Sequence, residues 1–385
     1  MKVLVCFLAC LYALHAMNLS GDIRVGHGDY DSYPTESVAT GELKVQLKNE
    51  TTQVHAIAEF LYSDRYEQRR YALLRELELR RDIGSYSLSL GKTIRFLGAL
   101  EGYNVTDIYN RKNYLLDPFS KSAKLGTWGA HAIVYLDEAS VSVSVKLYEE
   151  DQKYPTYPTP YRFFSWHYDE SLNAEQSRYS PSVLGVYTFA PTDFLEIQAG
   201  VFQGYDSKRT FSFSNATTIA QNAYRATKAL LVLNAVFQES ILKLEAVYTD
   251  VAKGKNLSDY VQIGVGAEHG MYNIFGTDLG MYGEYYHYGY LGESMKNVDL
   301  SEIYDNDIFL ALKWNLNDVG STQIKGGVLH DIKRGERVVR IESSSRFFEM
   351  FTVDAAFLQT LAKKDTPLHF TGDMQRVTFG LTYNF

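Results

Sequence analysis

A cluster of charged residues between positions 95 and 124 is the part of the sequence best suited to act on a dissolved molecule. It mixes acidic and basic side chains in a long loop that directly follows a predicted strand. Such charges control which solutes pass when they narrow a channel, because they act at close range. We therefore predict that loop 98–124 folds inward as a constriction; the alternative is an ordinary extracellular loop with solvated charges. The candidate constriction residues are Arg95, Asp107, Arg111, Lys112, Asp117, Lys121 and Lys124.

A second loop, 148–170, is rich in aromatic and proline residues and reads YEEDQKYPTYPTPYRFFSWHYDE. Rings at a channel mouth could stack on sugars or apolar solutes, and Tyr157, Tyr161 and Trp166 are the candidates for such a vestibule. The competing interpretation is a rigid loop that packs on itself and covers the mouth. The segment YYHYGY (285–290) is expected to belong to an aromatic girdle at a membrane surface, with a ligand platform as the alternative.

Motifs for covalent chemistry are missing from the sequence. It has no Gly-x-Ser-x-Gly, no His-Glu-x-x-His and no Walker loop, and its nine histidines are scattered. The glycine pattern GVGAEHG (264–270) lies on a predicted strand and indicates a close-packed wall. The acidic pairs Asp29/Asp31 and Asp305/Asp307 could bind calcium on surface loops, but they lack EF-hand spacing, so we expect solvated loop charges. A serine–histidine pair across neighbouring strands could form an outer-membrane lipase site, but such a site would need polar groups at the lipid-facing rim, and the predicted outer faces are mostly aliphatic. We predict no enzymatic activity, no cofactor and no metal site.

The first sixteen residues, MKVLVCFLACLYALHA, have the pattern of a secretory signal peptide. Lys2 precedes an apolar run from 3 to 14 that is too short to span a bilayer. Cleavage is expected after Ala16, with Ala13 as an alternative. A lipoprotein leader ending before Cys10 is a further alternative, although only a short apolar run precedes that cysteine.

The composition of residues 17–385 narrows the class of protein. Both cysteines, Cys6 and Cys10, lie in the leader, so disulfides and cysteine-bound metals are excluded from this domain. The formal net charge is −8 and no basic block exists, which argues against a nucleic-acid partner. No apolar run is long enough for a transmembrane helix. The strands of a membrane barrel escape such a search because their side chains alternate.

Alternation with a period of two dominates the chain and predicts strands. In VSVSVKL (141–147) and IFLALKWNL (308–316), apolar residues alternate with a second face that contains serine, lysine and asparagine. Such segments give about eighteen strands, with sixteen as the alternative count. The predicted strands lie near 19–28, 41–48, 52–63, 70–81, 85–97, 125–137, 139–149, 181–190, 193–205, 222–238, 240–251, 259–269, 277–290, 305–316, 321–331, 336–345, 350–360 and 374–385.

The predicted connections are short after even-numbered strands and mostly longer after odd-numbered ones. This two-sided pattern is typical of an outer-membrane barrel with short periplasmic turns and long extracellular loops. We predict an all-β fold, a single antiparallel transmembrane β-barrel. A secreted soluble β-sandwich is the alternative, but its strands would be shorter and its second face less polar.

The segment RVTFGLTYNF (376–385) has one wholly apolar face, formed by alternate residues. In a closed barrel this strand must pair with the first one and present that face to lipid. The ending resembles the C-terminal signal that the barrel-assembly machinery reads in bacterial outer-membrane proteins. The resemblance implies a Gram-negative cell, with outer-membrane lipid and lipopolysaccharide as surroundings. The signal residues would be Phe379, Leu381, Tyr383 and Phe385.

Residues 86–128 resemble a loose family of proteobacterial porin-like barrels that includes the alginate-export type. Members often carry Leu-x-Leu-Gly-Lys/Arg at a strand end, then an aromatic residue and a loop with Asp-x-x-Asn-Pro. The matching residues are Leu88, Leu90, Gly91, Lys92, Phe96, Asp107 and Asn110. Arg111 stands where proline is usual, and the match does not specify a substrate.

These patterns together predict an outer-membrane porin-like channel for passive diffusion of small hydrophilic solutes. One alternative is a substrate-specific uptake barrel for aromatic or hydrophobic compounds, which would use loop 148–170. The other is a secreted soluble β-sandwich that binds glycans. The predicted lumen-facing acidic and basic residues balance, so no ion selectivity follows, and association into a homo-trimer stays open.

Overall fold

The computed structural model describes residues 16–121, 123–156, 158–160, 167–251, 258–292, 303–364, 366–370 and 372–385. Eighteen strands form one closed antiparallel sheet in which each strand pairs with the next barrel strand along the chain. They are β1 (Ala16–Tyr30), β2 (Glu36–Lys48), β3 (Thr52–Ser63), β4 (Tyr71–Ile83), β5 (Tyr86–Thr93), β8 (Thr127–Tyr135), β9 (Ala139–Lys146), β11 (Ser182–Thr192), β12 (Leu195–Tyr205), β15 (Arg225–Phe237), β16 (Ser240–Val251), β17 (Asp259–Ile274), β18 (Thr277–Leu291), β19 (Asn306–Asn315), β20 (Gln323–Asp331), β21 (Arg337–Phe347), β22 (Phe351–Leu361) and β23 (Met374–Asn384).

Five short strands lie in the loops and form two small sheets. A two-residue ladder joins β6 (Arg111–Lys112) to β7 (Lys124–Leu125). The other sheet combines β10 (His167–Ala174), β13 (Thr210–Phe213) and β14 (Thr218–Ala223). Among the described residues, no helix is long and apolar enough to cross a lipid bilayer.

The barrel closes between its last and first strands. The β23–β1 register runs from Asp22 opposite Asn384 to Tyr30 opposite Arg376. Beyond it, the backbone groups of Gly21 and Phe385 exchange two hydrogen bonds of 3.0 Å. The seam leaves no free strand edge, so backbone groups along it are satisfied within the sheet. The predicted count of eighteen strands is confirmed.

The side chains alternate between an apolar outer face and a polar interior. On β5, Leu88 and Leu90 are about half exposed, whereas Ser87 and Ser89 are buried. The outer rows are apolar residues, and exposing them to water would cost about 25 cal/mol for each Å² of apolar surface. A β-sandwich is excluded, because the apolar rows point outward from a single closed sheet instead of meeting in a dry interior.

Aromatic rings gather where β21, β22 and β23 approach the short-turn end of the barrel. Phe347 stacks on Phe351 at 5.8 Å between ring centroids, and Tyr383 stacks on Phe385 at 6.0 Å. The expected girdle role of YYHYGY (285–290) is only partly right. Tyr286 and Tyr288 point inward and are buried, because the side chains of β18 alternate between the two faces of the wall there as well.

The connections alternate in length as predicted. Those at one end are the short intervals 49–51, 84–85, 136–138, 193–194, 238–239, 275–276, 316–322 and 348–350. Those at the other end include the longest intervals, 94–126, 147–181 and 206–224. Strand β5 ends at Thr93, four residues before its predicted end, so the charged loop is longer than 98–124.

Candidate functional site: a loop that crosses the barrel interior

The loop from 94 to 126 leaves the wall between β5 and β8 and contacts strands on other sides of the barrel. Its β6–β7 ladder holds it as a hairpin, with Lys112 opposite Lys124. Strands β5, β8 and β9 are shorter than most of the other barrel strands, so the wall beside the root of this loop is low. The geometry places the loop inside, as the constriction hypothesis requires.

Glu245 on β16 anchors the first part of the loop. One carboxylate oxygen accepts the backbone N–H groups of Ala99 and Leu100 at 2.6 and 2.9 Å. The other oxygen accepts the N–H and the hydroxyl of Thr106, both at 3.0 Å. Glu245 is fully buried, and four donors replace the water that its charge has lost.

Glu284 on β18 repeats this arrangement one strand pair further on. Its two oxygens accept the backbone N–H groups of Glu101 and Gly102 at 2.5 and 2.8 Å. The hydroxyl of Tyr286 receives the N–H of Tyr103 at 2.8 Å. Because these donors are backbone groups, the wall determines the path of the chain independently of most loop side chains.

Leu100 fills a notch in the wall of β17. Its side chain lies where a Cβ atom would stand on Gly264, and 2.8 Å from where one would stand on Gly266. Leu100 is completely buried. Gly264 and Gly266 of GVGAEHG (264–270) therefore leave room for the loop, and this contact is the close packing that the glycine pattern predicted.

The far part of the loop carries charges that meet the opposite wall. Lys121 bonds to Glu101 at 2.9 Å, and Lys325 on β20 also pairs with Glu101. Asp117 forms an ion pair with Arg340 on β21 at 2.9 Å. Burial would raise the pKa of Asp117, but Arg340 and other nearby donors outweigh it and hold that pKa below its usual value.

The remaining predicted residues stabilise the loop itself or its root. Arg95 reaches Glu78 at 3.1 Å and Ser89 at 2.8 Å, both on the wall. Asp107 pairs with Lys124 at 2.8 Å within the loop. Arg95 therefore braces the root of the loop, whereas Asp107 and Lys124 brace the loop and also line a cavity of about 100 Å³.

Arg111 and Lys112 lie on the small ladder of the loop. Arg111 pairs with Glu150 at 2.8 Å and so joins this loop to the next one. The Lys112 ammonium donates to the carbonyl oxygen of Pro118 at 2.5 Å. Burial lowers the pKa of Lys112 to about 8, and the nearby Lys124 charge acts in the same direction.

A β-bulge in β4 adds a charge that strict alternation did not predict. The register shifts between Ile57 and Ala58, so Arg75 has no direct partner on β3. The bulge turns Arg75 toward the interior, where it pairs with Glu42 and lies 3.4 Å from Glu59. Bulges redirect single side chains in this way without any simple sequence signal.

A network of buried charges holds the third long loop against the wall. Asp206, which follows β12, accepts the Lys228 ammonium at 2.9 Å and the Tyr260 hydroxyl at 2.6 Å. Burial would raise the pKa of Asp206, but Lys228 and Lys208 outweigh it and keep it well below its usual value. The carboxylate is fully buried and satisfied, so its role is structural.

Cavities of about 360, 270 and 100 Å³ lie beside the loop. The two larger ones are lined by Arg340 and Glu342 of β21, and Lys121 lines the largest, together with Glu101 and Lys325. The smallest cavity is lined by five of the predicted constriction residues, Asp107, Arg111, Lys112, Lys121 and Lys124. Glu101 was not among the candidates, although its charge and its place in loop 98–124 could have identified it.

The three vestibule candidates, Tyr157, Tyr161 and Trp166, lie outside the described residues. Among the aromatic residues near them that are described, the rings pack on one another. Tyr154 stacks on Tyr114 of the crossing loop at 4.9 Å and meets Phe211 edge-on at 5.4 Å. Tyr154 also meets Tyr168 of its own loop edge-on at 5.3 Å, and this packing favours the interpretation of loop 148–170 as a packed cover.

Comparison with solved structures supports the same architecture. Pseudomonas aeruginosa OccK3 (OpdO) has a TM-score of 0.61 at 13% identity, covering 99% of this chain and 98% of that one. OccK11 (OpdR) of the same organism has a TM-score of 0.60 at 10% identity, covering 97% of this chain and 96% of that one. OccD3 (OpdP), also of that organism, has a TM-score of 0.56 at 10% identity, covering 97% of this chain and 92% of that one. At such identities the likeness shows the fold alone.

The chain shares with these structures the fold of a closed antiparallel β-barrel. No protein-family model and no curated protein sequence matches the chain. The structural neighbours support the porin-like part of the sequence resemblance and not the alginate-export type specifically.

Proposed function

We propose that this chain is an outer-membrane channel for passive diffusion of small hydrophilic solutes. The observation that carries the proposal is the charged loop 94–126, which is anchored to the wall by Glu245 and Glu284. A barrel of eighteen strands is wide enough for an aqueous lumen, and this loop narrows it. The similar Occ proteins are outer-membrane channels, which supports the same role here.

The apolar outer rows support a membrane location. Val377, Phe379 and Leu381 on β23 are between 39% and 61% exposed, and the adjacent aromatic residues stack near the short-turn end. Such a surface is stable in lipid and would aggregate in water. We propose that this face contacts outer-membrane lipid and lipopolysaccharide, and that β23 is the strand recognised by the barrel-assembly machinery.

The passage beside the loop is lined by charges of both signs at short distance. Arg24 pairs with Asp354 at 2.6 Å, and Arg340 with Asp117 at 2.9 Å. Each pair has no net charge, and salt screens the remaining field beyond about one Debye length. We therefore propose that the channel selects ions only weakly and discriminates between solutes mainly by size. No residue arrangement for covalent chemistry is needed, and we propose no enzymatic activity.

The leader is proposed as a cleaved signal peptide. Strand β1 begins at Ala16, so cleavage after that residue would leave the strand intact apart from its first position. The remainder of the leader lies outside the described residues.

Purified protein in a planar lipid bilayer tests the proposal. We expect discrete conductance steps, and larger steps from a variant in which residues 97–121 are replaced by a short glycine-serine linker. A well-folded barrel that gives no conductance with or without that loop would contradict the channel function. Equal conductance of the two proteins would contradict the role of the loop alone.

A further inference from the structure

Three carboxylates converge at the long-loop end of the barrel, outside the cavities beside the crossing loop. They belong to Asp305, Asp307 and Asp331, and one oxygen of each lies within 4.8 Å of the others. The β19–β20 register places Asp307 directly opposite Asp331. The sequence pattern predicts a solvated charge at position 307. That expectation is wrong, because Asp307 is only 2% exposed and Asp331 only 3%.

The buried carboxylates have too few partners for their charge. Oδ2 of Asp331 and Oδ1 of Asp305 are buried and accept no hydrogen bond. Asp331 uses its other oxygen to accept the backbone N–H groups of Lys333 and Arg334 at 2.7 and 2.6 Å. Among the described residues, Asp307 has no ion pair and accepts only the N–H of Asn306, at 3.1 Å.

Among the described residues, Arg334 is the basic side chain that forms ion pairs with the cluster. It lies 2.8 Å from Asp305 and 3.6 Å from Asp331. With all three carboxylates ionised, as cation binding requires, this guanidinium leaves a net charge of −2. Burying uncompensated charge is costly, and a divalent cation would neutralise this excess fully.

We propose that Asp305, Asp307 and Asp331 bind one calcium ion. Ligands made only of oxygen suit a hard cation, and calcium–oxygen distances of about 2.3–2.6 Å allow opposite oxygens to lie up to about 5 Å apart. Magnesium would draw opposite oxygens to about 4.2 Å and demands stricter octahedral geometry. The two unbonded oxygens supply ligand positions, and water completes the coordination.

The site would connect the mouth to the crossing loop. Tyr304 directly precedes Asp305 and stacks on Tyr103 of loop 94–126, with ring centroids 4.2 Å apart. Calcium would therefore fix the segment from 303 to 305 against β20 and restrain Tyr103 through that stack. The inference does not depend on the proposed function, because it concerns binding and stability.

The test is a thermal melt of the whole protein in detergent free of lipopolysaccharide, whose phosphates bind calcium themselves. A calcium concentration of about 10 mM is well above the dissociation constants of many extracellular calcium sites. It should raise the melting temperature by roughly 2–5 °C relative to the same protein in chelator. Asp307→Asn should abolish the shift. Asp193→Asn, an exposed aspartate in a short turn, should retain it.

A second measurement covers direct binding. In the wild type, terbium should bind at the site, luminesce when nearby tyrosines such as Tyr304 are excited, and be displaced by calcium. Asp307→Asn should lack this calcium-sensitive luminescence. In chelator, Asp307→Asn should melt no lower than wild type, because it relieves carboxylate repulsion. The proposal is overturned if calcium produces no shift, if the shift survives in Asp307→Asn, or if that variant is less stable without calcium.

Discussion

Replacing Glu245 by glutamine should release the first part of the crossing loop. Its carboxylate accepts four hydrogen bonds from Ala99, Leu100 and Thr106. Glutamine offers an oxygen to one pair of donors and an NH₂ group to the other. The Thr106 hydroxyl can turn and accept from that group, but its backbone N–H is left facing a donor.

The magnitude follows from these four bonds. A buried N–H without a partner costs about 1–3 kcal/mol, and two bonds that lose a charged acceptor lose about 1 kcal/mol each. The sum is about 4 kcal/mol of docking free energy. Since 1.4 kcal/mol corresponds to about a factor of ten, the ratio of undocked to docked loop should rise roughly 10²–10³-fold.

Single-channel recording in a planar bilayer measures this change. The Glu245→Gln variant should show more frequent or longer excursions to a larger conductance, with an unchanged melting temperature of the barrel. Glu196→Gln is the matched control, because Glu196 also lies on the wall but accepts a hydrogen bond from the side chain of Gln198, at 2.8 Å, and does not hold the loop. Conductance and current noise identical to wild type would refute the argument that this carboxylate holds the loop.

Three further predictions follow from the described contacts. Gly264→Ala should expel Leu100 from its notch and increase single-channel conductance, and Leu100→Ala in the same chain should restore it, because the added Cβ then has space. Burial lowers the pKa of Lys112 to about 8, so its positive charge is lost as the pH rises through that value. Between about pH 7 and pH 9.5, the reversal potential in a salt gradient should therefore shift in the direction of greater cation selectivity. Lys112→Gln should remove this shift. Phe385→Ala should weaken the β1–β23 seam, where the ring packs over Gly21, and reduce the heat-resistant folded fraction on gels severalfold, whereas Phe348→Ala should not.

Each of these predictions has a matched control and a contradicting outcome. Gly185→Ala adds a Cβ with nothing within 4 Å and should leave conductance unchanged. A conductance change in Gly185→Ala equal to that in Gly264→Ala would show that the effect is not steric. A shift in reversal potential that persists in Lys112→Gln would assign the titration to another group. Equal folded fractions for Phe385→Ala and wild type would show that the ring does not stabilise the seam.

The number of strands and the direction of their faces could be predicted from sequence, because alternation is a local property of extended backbone. A side chain two positions away along a strand points the same way whatever the partner strand is. This reasoning located β5 and β9 from their serine rows and β19 from its row of leucines. It failed at Arg75, since a bulge changes the phase. At Tyr286 alternation held, and it was the aromatic girdle expected for 285–290 that failed, because composition does not specify a face.

The candidate site was only partly predictable. Asp117 pairs with the wall and Lys121 lines a cavity, so their role in a constriction stays a prediction that these contacts favour. Arg95 braces the root of the loop, and Lys124 braces the loop and lines a small cavity. The anchors, Glu245 and Glu284, lie on predicted strands, but no sequence feature linked them to the loop.

The sequence by itself determined a barrel of alternating strands, with short turns at one end and long loops at the other. Only the tertiary structure decided where the longest charged loop lies, because its partners are distant in sequence: Thr106 and Glu245 are 139 positions apart. The same holds for Asp307, whose burial depends on the strand opposite it. Local pattern specifies the wall, whereas the contents of the lumen depend on contacts that form only when the wall closes.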